Sequence, residues 1–192
     1  MEKIIRITVL LSLVLVIIAS MAAIAVATPK GKGAGGGGSA TALGPGTHYA
    51  DDAGWVKSVG ADGICQWVVE DYTDYPTPGS GSKLLMTNTA GATASFEVEG
   101  CKQVEIFAAK YWSCGNAEIL LDGVHQTEVD LYNLSSLFVW GKKVSVCRIP
   151  ADGLSHTVTI RALGTGGPGN PSDPNNPLNA LHYVNIQYIQ AR

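Results

Sequence analysis

The densest grouping of chemically competent side chains is in AEILLDGVHQTEVDLY, residues 117–132, which holds Glu118, Asp122, His125, Glu128 and Asp130. Carboxylates beside an imidazole are the raw material of general acid–base catalysis, and a suitably spaced carboxylate pair can cleave a glycosidic bond. The apolar spacing argues for a different origin. Ile119 and Leu121 share one parity before Asp122-Gly123, and Val129 and Leu131 share one after it. Asp-Gly supplies the positive φ that a two-residue type I′ hairpin turn requires. The stretch therefore reads as a hairpin, with Asp122 at the turn, Glu118 and Glu128 facing solvent, and His125 just past the bend.

Other reactive types form no constellation. The cysteines, Cys65, Cys101, Cys114 and Cys147, contain no CxxC, and the histidines at 48, 125, 156 and 182 are scattered, which argues against a zinc site and leaves any metal site unassigned. GSGS at 79–82 lacks the G-x-S-x-G elbow and its strand–turn–helix setting. GxG patterns between residues 28 and 46 have no strand before them or helix after them, so they do not cradle phosphate. His156, at the start of a predicted strand, is expected to make a local structural hydrogen bond. On these grounds the chain is not expected to be an enzyme.

The elements that would position any site are strands. In 95–99, Phe96 and Val98 alternate with Ser95, Glu97 and Glu99; VEI at 104–106 continues the theme. Val158 and Ile160 alternate with Thr157, Thr159 and Arg161, and 183–189 places Val184, Ile186 and Tyr188 on one face. Strict alternation predicts half-buried antiparallel strands. Turn signals punctuate them at Asp62-Gly63, Glu99-Gly100, Asp122-Gly123 and Asp152-Gly153. No stretch after residue 47 reads as helix. Short strands with regular turns predict an all-β fold, an antiparallel jelly-roll β-sandwich. Two long loops interrupt it, DYTDYPTPGSGS at 71–82 and GTGGPGNPSDPNNP at 164–177.

The sandwich is preceded by a hydrophobic N-terminal export segment and a Gly-rich linker. Lys3 and Arg6 precede an uncharged run, Ile7 to Ala27, that ends in Ala25-Val26-Ala27, an A-x-A cleavage pattern. Residues 1–27 are thus a signal peptide or a membrane anchor, since a run of about 20 apolar residues can also span a bilayer. Residues 28–46 read as a flexible linker, and 47–192 as the sandwich domain. Either reading places the domain outside the cytoplasm, extracellular or at the cell surface, with membrane contact only through the N-terminal segment if it is uncleaved. Loss of Lys3, Arg6 and Glu2 with that segment takes the formal charge from −3 to −4. No Lys/Arg cluster remains, which excludes nucleic acid and anionic membrane surfaces as partners. In an exported chain the four cysteines predict two disulfides. Cys101 and Cys114 flank a strand-like segment about 40 Å long, so they do not pair with each other. The pairings 65–101 with 114–147 and 65–114 with 101–147 both stay open.

The order GATASFEVEG, VEIFAAK, CGNAEILLDG, TEVDLY, ADGLSHTVTIRALG and YVNIQYI resembles the galactose-binding-domain-like jelly roll found in carbohydrate-binding modules. The resemblance spans nearly all of the folded part and implies a fold more than a function. Asn185 stands where related modules often carry Asp. A structural Ca²⁺, common in related folds, would want carboxylates, and Asp51-Asp52 is the candidate pair; no other cofactor is implied.

The resemblance implies a non-catalytic module that recognises a glycan or cell-wall polymer. Sugar recognition presents aromatic faces to C–H patches, with polar groups at the rim. Tyr72, Tyr75, Tyr111, Trp112 and Trp140 are the candidate ligand-binding residues. Trp112, beside Tyr111 and just ahead of Cys114, leads them; the competing reading packs Trp112 and Trp140 into the core. Trp55 and Trp67 are expected to plug the sandwich. The alternative function is a structural or adhesive surface protein, tethered or self-assembling, with no small-ligand site; the single-domain layout and the sequon Asn133-Leu134-Ser135 fit it.

Overall fold

The structure, a computed structural model, describes residues 41–72, 83–134, 138–169, 175 and 180–192. The chain divides into two compact units, Met1–Gly36 and Gly37–Arg192, and every described residue belongs to the second. The export segment, the linker up to residue 40, Tyr75, GSGS, Ser135 of the sequon and most of the 164–177 loop lie outside the described residues.

The described residues form twelve strands and no α-helix. They are β1 (Gly46–Tyr49), β2 (Val56–Lys57), β3 (Val68–Asp71), β4 (Lys83–Thr87), β5 (Thr93–Val98), β6 (Gln103–Lys110), β7 (Gly115–Leu121), β8 (Val124–Asp130), β9 (Val139–Arg148), β10 (His156–Gly166), β11 (Val184–Ile186) and β12 (Tyr188–Ala191). One sheet runs β2-β5-β10-β7-β8; a second runs β1-β12-β6-β9; a third, shorter, runs β11-β4-β3. All strand pairings are antiparallel. This is the jelly-roll β-sandwich predicted from alternation and turn spacing.

The core lies between the inward faces. Phe96 and Val98 of β5, Ile119 of β7, Val158 and Ile160 of β10, and Ile106 and Ile189 of the facing sheet are fully buried. Trp67 is buried among them, and Trp55 meets Phe96 edge-on at 4.8 Å between ring centroids, so both tryptophans fill the sandwich as expected. The four turn glycines, Gly63, Gly100, Gly123 and Gly153, all carry positive φ. Asp122 does too, at φ 50°, so the 122–123 turn has the type I′ form. Pairing begins before residue 47: the Leu43 N–H donates to the Glu97 carbonyl at 2.8 Å.

Three expectations need correction. First, residues 183–189 do not keep one parity. The strand breaks at Gln187, after which Ile189 is buried and Tyr188 is only half-buried. The cause is a change of partner: β11 pairs with β4, whereas β12 pairs with β6 and β1. Gln187 anchors the slip, donating its N–H to the Phe107 carbonyl and accepting the Gly141 N–H on its side-chain oxygen, each at 2.8 Å.

Second, Glu118 is buried rather than solvent-facing. It sits on the outer face of its sheet, but Arg161 of β10 and His125 of β8 close over it as ion-pair partners. Their register, Arg161 opposite Glu118 and Glu118 opposite Glu128, is a long-range consequence of the topology. The His125 hydrogen bond, aided by Arg161, holds the Glu118 carboxyl below its usual range.

Third, Cys65, Cys101, Cys114 and Cys147 are all free thiols, where two disulfides were expected. Strand β6 keeps Cys114 apart from Cys101 and Cys147, which lie near one another at its start. Cys147 lies opposite Val104 near the start of β6, while Cys114 follows its far end, about 25 Å away at strand rise. Cys114 is buried against the Ala109 carbonyl and the Asn185 amide, and Cys65 is exposed, its thiol directed at the Trp67 carbonyl. Burial pushes the Cys114 thiol up to about 12 and the Cys147 thiol up to about 11, and it raises Cys101 as well. Thiols held this far from ionisation are chemically quiet.

Candidate functional site

At the end of β6 the chain turns through Tyr111–Cys114, and backbone bonds hold this turn where a disulfide at Cys114 was expected to. The Cys114 N–H donates back to the Tyr111 carbonyl at 3.1 Å. On one side Tyr111 pairs with the β8 exit: its N–H meets the Leu131 carbonyl at 3.2 Å, and its carbonyl accepts the Asn133 N–H at 3.1 Å. On the other side the Tyr183 N–H donates to the Ser113 carbonyl at 2.9 Å, and the Gly115 N–H to the Tyr183 carbonyl at 2.8 Å. Gly115 permits the approach. A Cβ there would stand 2.5 Å from the Thr165 carbonyl and 2.6 Å from His182 Cβ.

The turn carries aromatic rings into a cluster. Tyr111 stacks on Phe138 at 4.3 Å with 15° between planes, and Tyr111 lies 5.1 Å from Trp112. Tyr72 meets Phe138 at 5.5 Å and Trp140 at 5.6 Å. Leu84, Met86 and Ala109 are buried beneath, as a small cluster separate from the main core. Tyr72 donates its hydroxyl to the Met86 sulfur at 3.7 Å.

Above these rings opens a cleft of about 880 Å³. Tyr72, Tyr111, Trp112, Phe138 and Tyr183 supply its aromatic walls, with Met86, Ile64 and Val68. Asp62, Gln66, Glu70, Thr87, Asn88, Thr89 and Ser113 supply polar groups. Several of these are preset: Ser58 donates its hydroxyl to the Gln66 side-chain oxygen at 2.7 Å, Thr87 Oγ1 accepts the Thr89 N–H at 3.2 Å, and Asp62 accepts the Ile64 N–H at 3.0 Å. An apolar, aromatic wall with a few fixed polar groups is the composition of a small-molecule site.

The structure thus brings together three of the five predicted aromatics, Tyr72, Tyr111 and Trp112. Trp140 backs the wall through Phe138 and Tyr72 without lining the cleft, and Tyr75 lies outside the described residues. Trp112 belongs partly to each of its two readings: it lines the cleft yet is only 7% exposed. Sequence reasoning missed Phe138, Tyr183 and the polar groups of the Thr87–Thr89 segment. Tyr183 carried a signal, since it directly precedes an alternating strand; Phe138 carried none.

Asp122, Asp152 and His156 form a hydrogen-bonded cluster elsewhere in the fold. Asp122 accepts the Thr157 N–H at 2.8 Å on one oxygen and faces His156 Nδ1 at 2.7 Å with the other, while Asp152 faces His156 Nε2 at 3.0 Å. Both ring nitrogens are occupied, so the imidazole has no free edge for a substrate. This confirms the local role expected of His156. Asp122 first and Asp152 second raise the His156 pKa. Burial pushes Asp122 up, but the His156 and Thr157 hydrogen bonds outweigh it and leave its pKa lowered; Asp152 is lowered by the Leu154 N–H and by His156. The cluster lies at the opposite end of β7 from the cleft. Of the candidate Ca²⁺ pair, Asp51 is engaged by Lys83 at 2.7 Å, and Asp52 accepts the Tyr49 N–H at 2.9 Å. No group of three or more metal-binding side chains occurs among the described residues.

Asn185, 1% exposed, performs a different task at the back of the cluster. Its Oδ1 accepts the Ala109 N–H at 2.8 Å and its Nδ2 donates to the Ala109 carbonyl at 2.9 Å. The side chain imitates the strand partner that β6 lacks at this point, because β11 pairs on β4 instead. Nδ2 also reaches Cys114 Sγ at 3.3 Å.

No protein-family model and no curated protein sequence matches the chain. Solved structures do. The chain is similar to a Paenibacillus xanthan lyase, with a TM-score of 0.52 and 12% identity, covering 82% of this chain and 14% of that one. A two-domain esterase active on acetylated mannans aligns with a TM-score of 0.47 and 20% identity over 76% of this chain and 35% of that one. The CBM36-1 domain of a multidomain xylanase, from the hindgut metagenome of Trinervitermes trinervoides, aligns with a TM-score of 0.40 and 8% identity over 76% of this chain and 94% of that domain. The chain spans about a third of the esterase and a seventh of the lyase. At these identities what is shared is the fold, a jelly-roll β-sandwich.

Proposed function

We propose that the domain is an exported, non-catalytic module that binds a glycan or cell-wall polymer in the cleft above Tyr111. The observation that carries this reading is the convergence of Tyr72, Tyr111, Trp112, Phe138 and Tyr183 around one opening with preset amide, hydroxyl and carboxylate groups beside them. Pyranose rings offer C–H faces to aromatic walls and hydroxyls to polar groups, so both halves of the lining have a use. A neighbour of like fold is a xanthan lyase, which supports the choice of a glycan as ligand. The paired carboxylates on His156 and the ion-paired Glu118 are spent on structure, which supports a binding role over catalysis. Residues 1–27 would deliver the domain outside the cytoplasm, and the Gly-rich stretch ahead of Leu43 would tether it if the segment is retained.

Binding to a panel of soluble polysaccharides, followed by affinity electrophoresis, tests the reading. At least one glycan should retard the protein, and Tyr72→Ala and Asn88→Ala should each weaken that retardation while the melting temperature stays within a few degrees of the parent. Retardation by no glycan, or by one that both variants bind equally well, would refute the site. Size-exclusion chromatography of the same preparation addresses self-assembly: a high-order polymer would favour the structural alternative.

A further inference from the structure

The cleft is one-sided in charge. Asp62 and Glu70 line it, both exposed, and no described lining residue is Lys or Arg. Of the basic side chains on the adjoining strands, Lys83 at the start of β4 is held by Asp51 at 2.7 Å, and Lys110, which ends β6, does not line the cleft. The internal segments 73–82, 135–137 and 170–179 contain no Lys or Arg in sequence. Recognition of a carboxylate asks for a guanidinium, an ammonium or a cluster of free N–H donors. Here a carboxylate would meet two others, and rejecting a competitor by like charge is a common route to specificity.

Resting on the glycan reading above, we infer that the cleft takes uncharged hexosyl or pentosyl chains and excludes uronic-acid chains. Asp62 and Glu70 act as the excluding groups, and the aromatic wall supplies attraction that is indifferent to charge. Because both carboxylates are exposed, the discrimination is screened by salt.

Isothermal titration of the full chain compares neutral oligosaccharides (cellohexaose, mannohexaose and xylohexaose) with hexagalacturonate at low and at high salt. At least one neutral oligosaccharide should bind roughly tenfold or more tighter than the uronate at low salt, with the gap narrowing at high salt. Glu70→Lys should strengthen uronate binding. Hexagalacturonate binding as tightly as the best neutral chain, or unaffected by Glu70→Lys, would overturn the inference and leave the glycan reading standing. Binding by none of the four would refute the glycan reading itself and the inference with it.

Discussion

Asn185 offers the sharpest test of how the aromatic wall is held. Replacing it with Leu keeps the volume but leaves the Ala109 N–H and carbonyl facing an apolar side chain in a site that is 1% exposed. Each orphaned buried group costs about 1–3 kcal/mol, and the added apolar burial returns about 1 kcal/mol. The net loss should be about 1–5 kcal/mol, which in a domain of this size lowers Tm by roughly 2–20 °C. Asn185→Asp sharpens the argument. A protonated Asp can accept from the Ala109 N–H and donate to its carbonyl, restoring both bonds; an ionised one opposes the carbonyl and loses its hydration. Burial should raise its folded pKa above the ordinary Asp value of about 3.9. Its destabilisation should then be small below about pH 4 and grow as pH rises through the raised folded value. Urea melts across pH 3.5–8 read this out as the difference between variant and parent. An Asn185→Leu loss under about 1 kcal/mol, or an Asn185→Asp deficit that does not change with pH, would refute the view that this side chain substitutes for a missing strand.

Other expectations concern separate parts of the molecule. The His156 cluster should contribute stability fully below the ordinary imidazole value of 6.5, and that contribution should fade as pH rises through the raised folded value. At the acid end, the lowered Asp122 and Asp152 lose theirs as pH falls below 3.8; in thermal melts, His156→Gln should flatten the alkaline decline. Gly115→Ala should destabilise by about 1–3 kcal/mol through overpacking against Thr165 and His182, measured by urea titration; a neutral result would mean the aromatic turn is not clamped there. A chromogenic disulfide reagent should titrate Cys65 alone quickly in the native protein, with Cys101, Cys114 and Cys147 reacting only on unfolding; no reactive thiol even in denaturant would show that the cysteines are bridged.

What could be read ahead of the structure was what local geometry dictates. Asp-Gly at 122–123 announces its turn because positive φ is a property of those two residues, and Phe96 and Val98 announce their face because pleating alternates within one strand. The jelly roll followed from such signals in series. What escaped depends on partners distant in the chain. Glu118 looks like any outward residue of a strand until register sets Arg161 beside it. The parity of 183–189 fails because neighbouring β4 and β6 claim different halves of one strand. The cleft shows the same division: Tyr111 and Trp112 were visible as adjacent aromatics at a strand end, whereas Phe138 and the Thr87–Thr89 segment join them only through tertiary packing. The cysteines were misread because an even count says nothing about which end of β6 each thiol occupies.

The pairing of the first strand with the last also has a mechanical side. Gly46 sits opposite Ala191, so both chain ends leave from one end of the β1–β12 ladder. Tension applied between them would peel that ladder open one hydrogen bond at a time instead of loading its bonds together. A domain pulled this way yields at low force, beginning with the Leu43 bonds to Glu97 and Glu99 and then β1. If the N-terminal stretch anchors it while the cleft grips a polymer, the Leu43 bonds to Glu97 and Glu99 meet the tension first, and β1 after them.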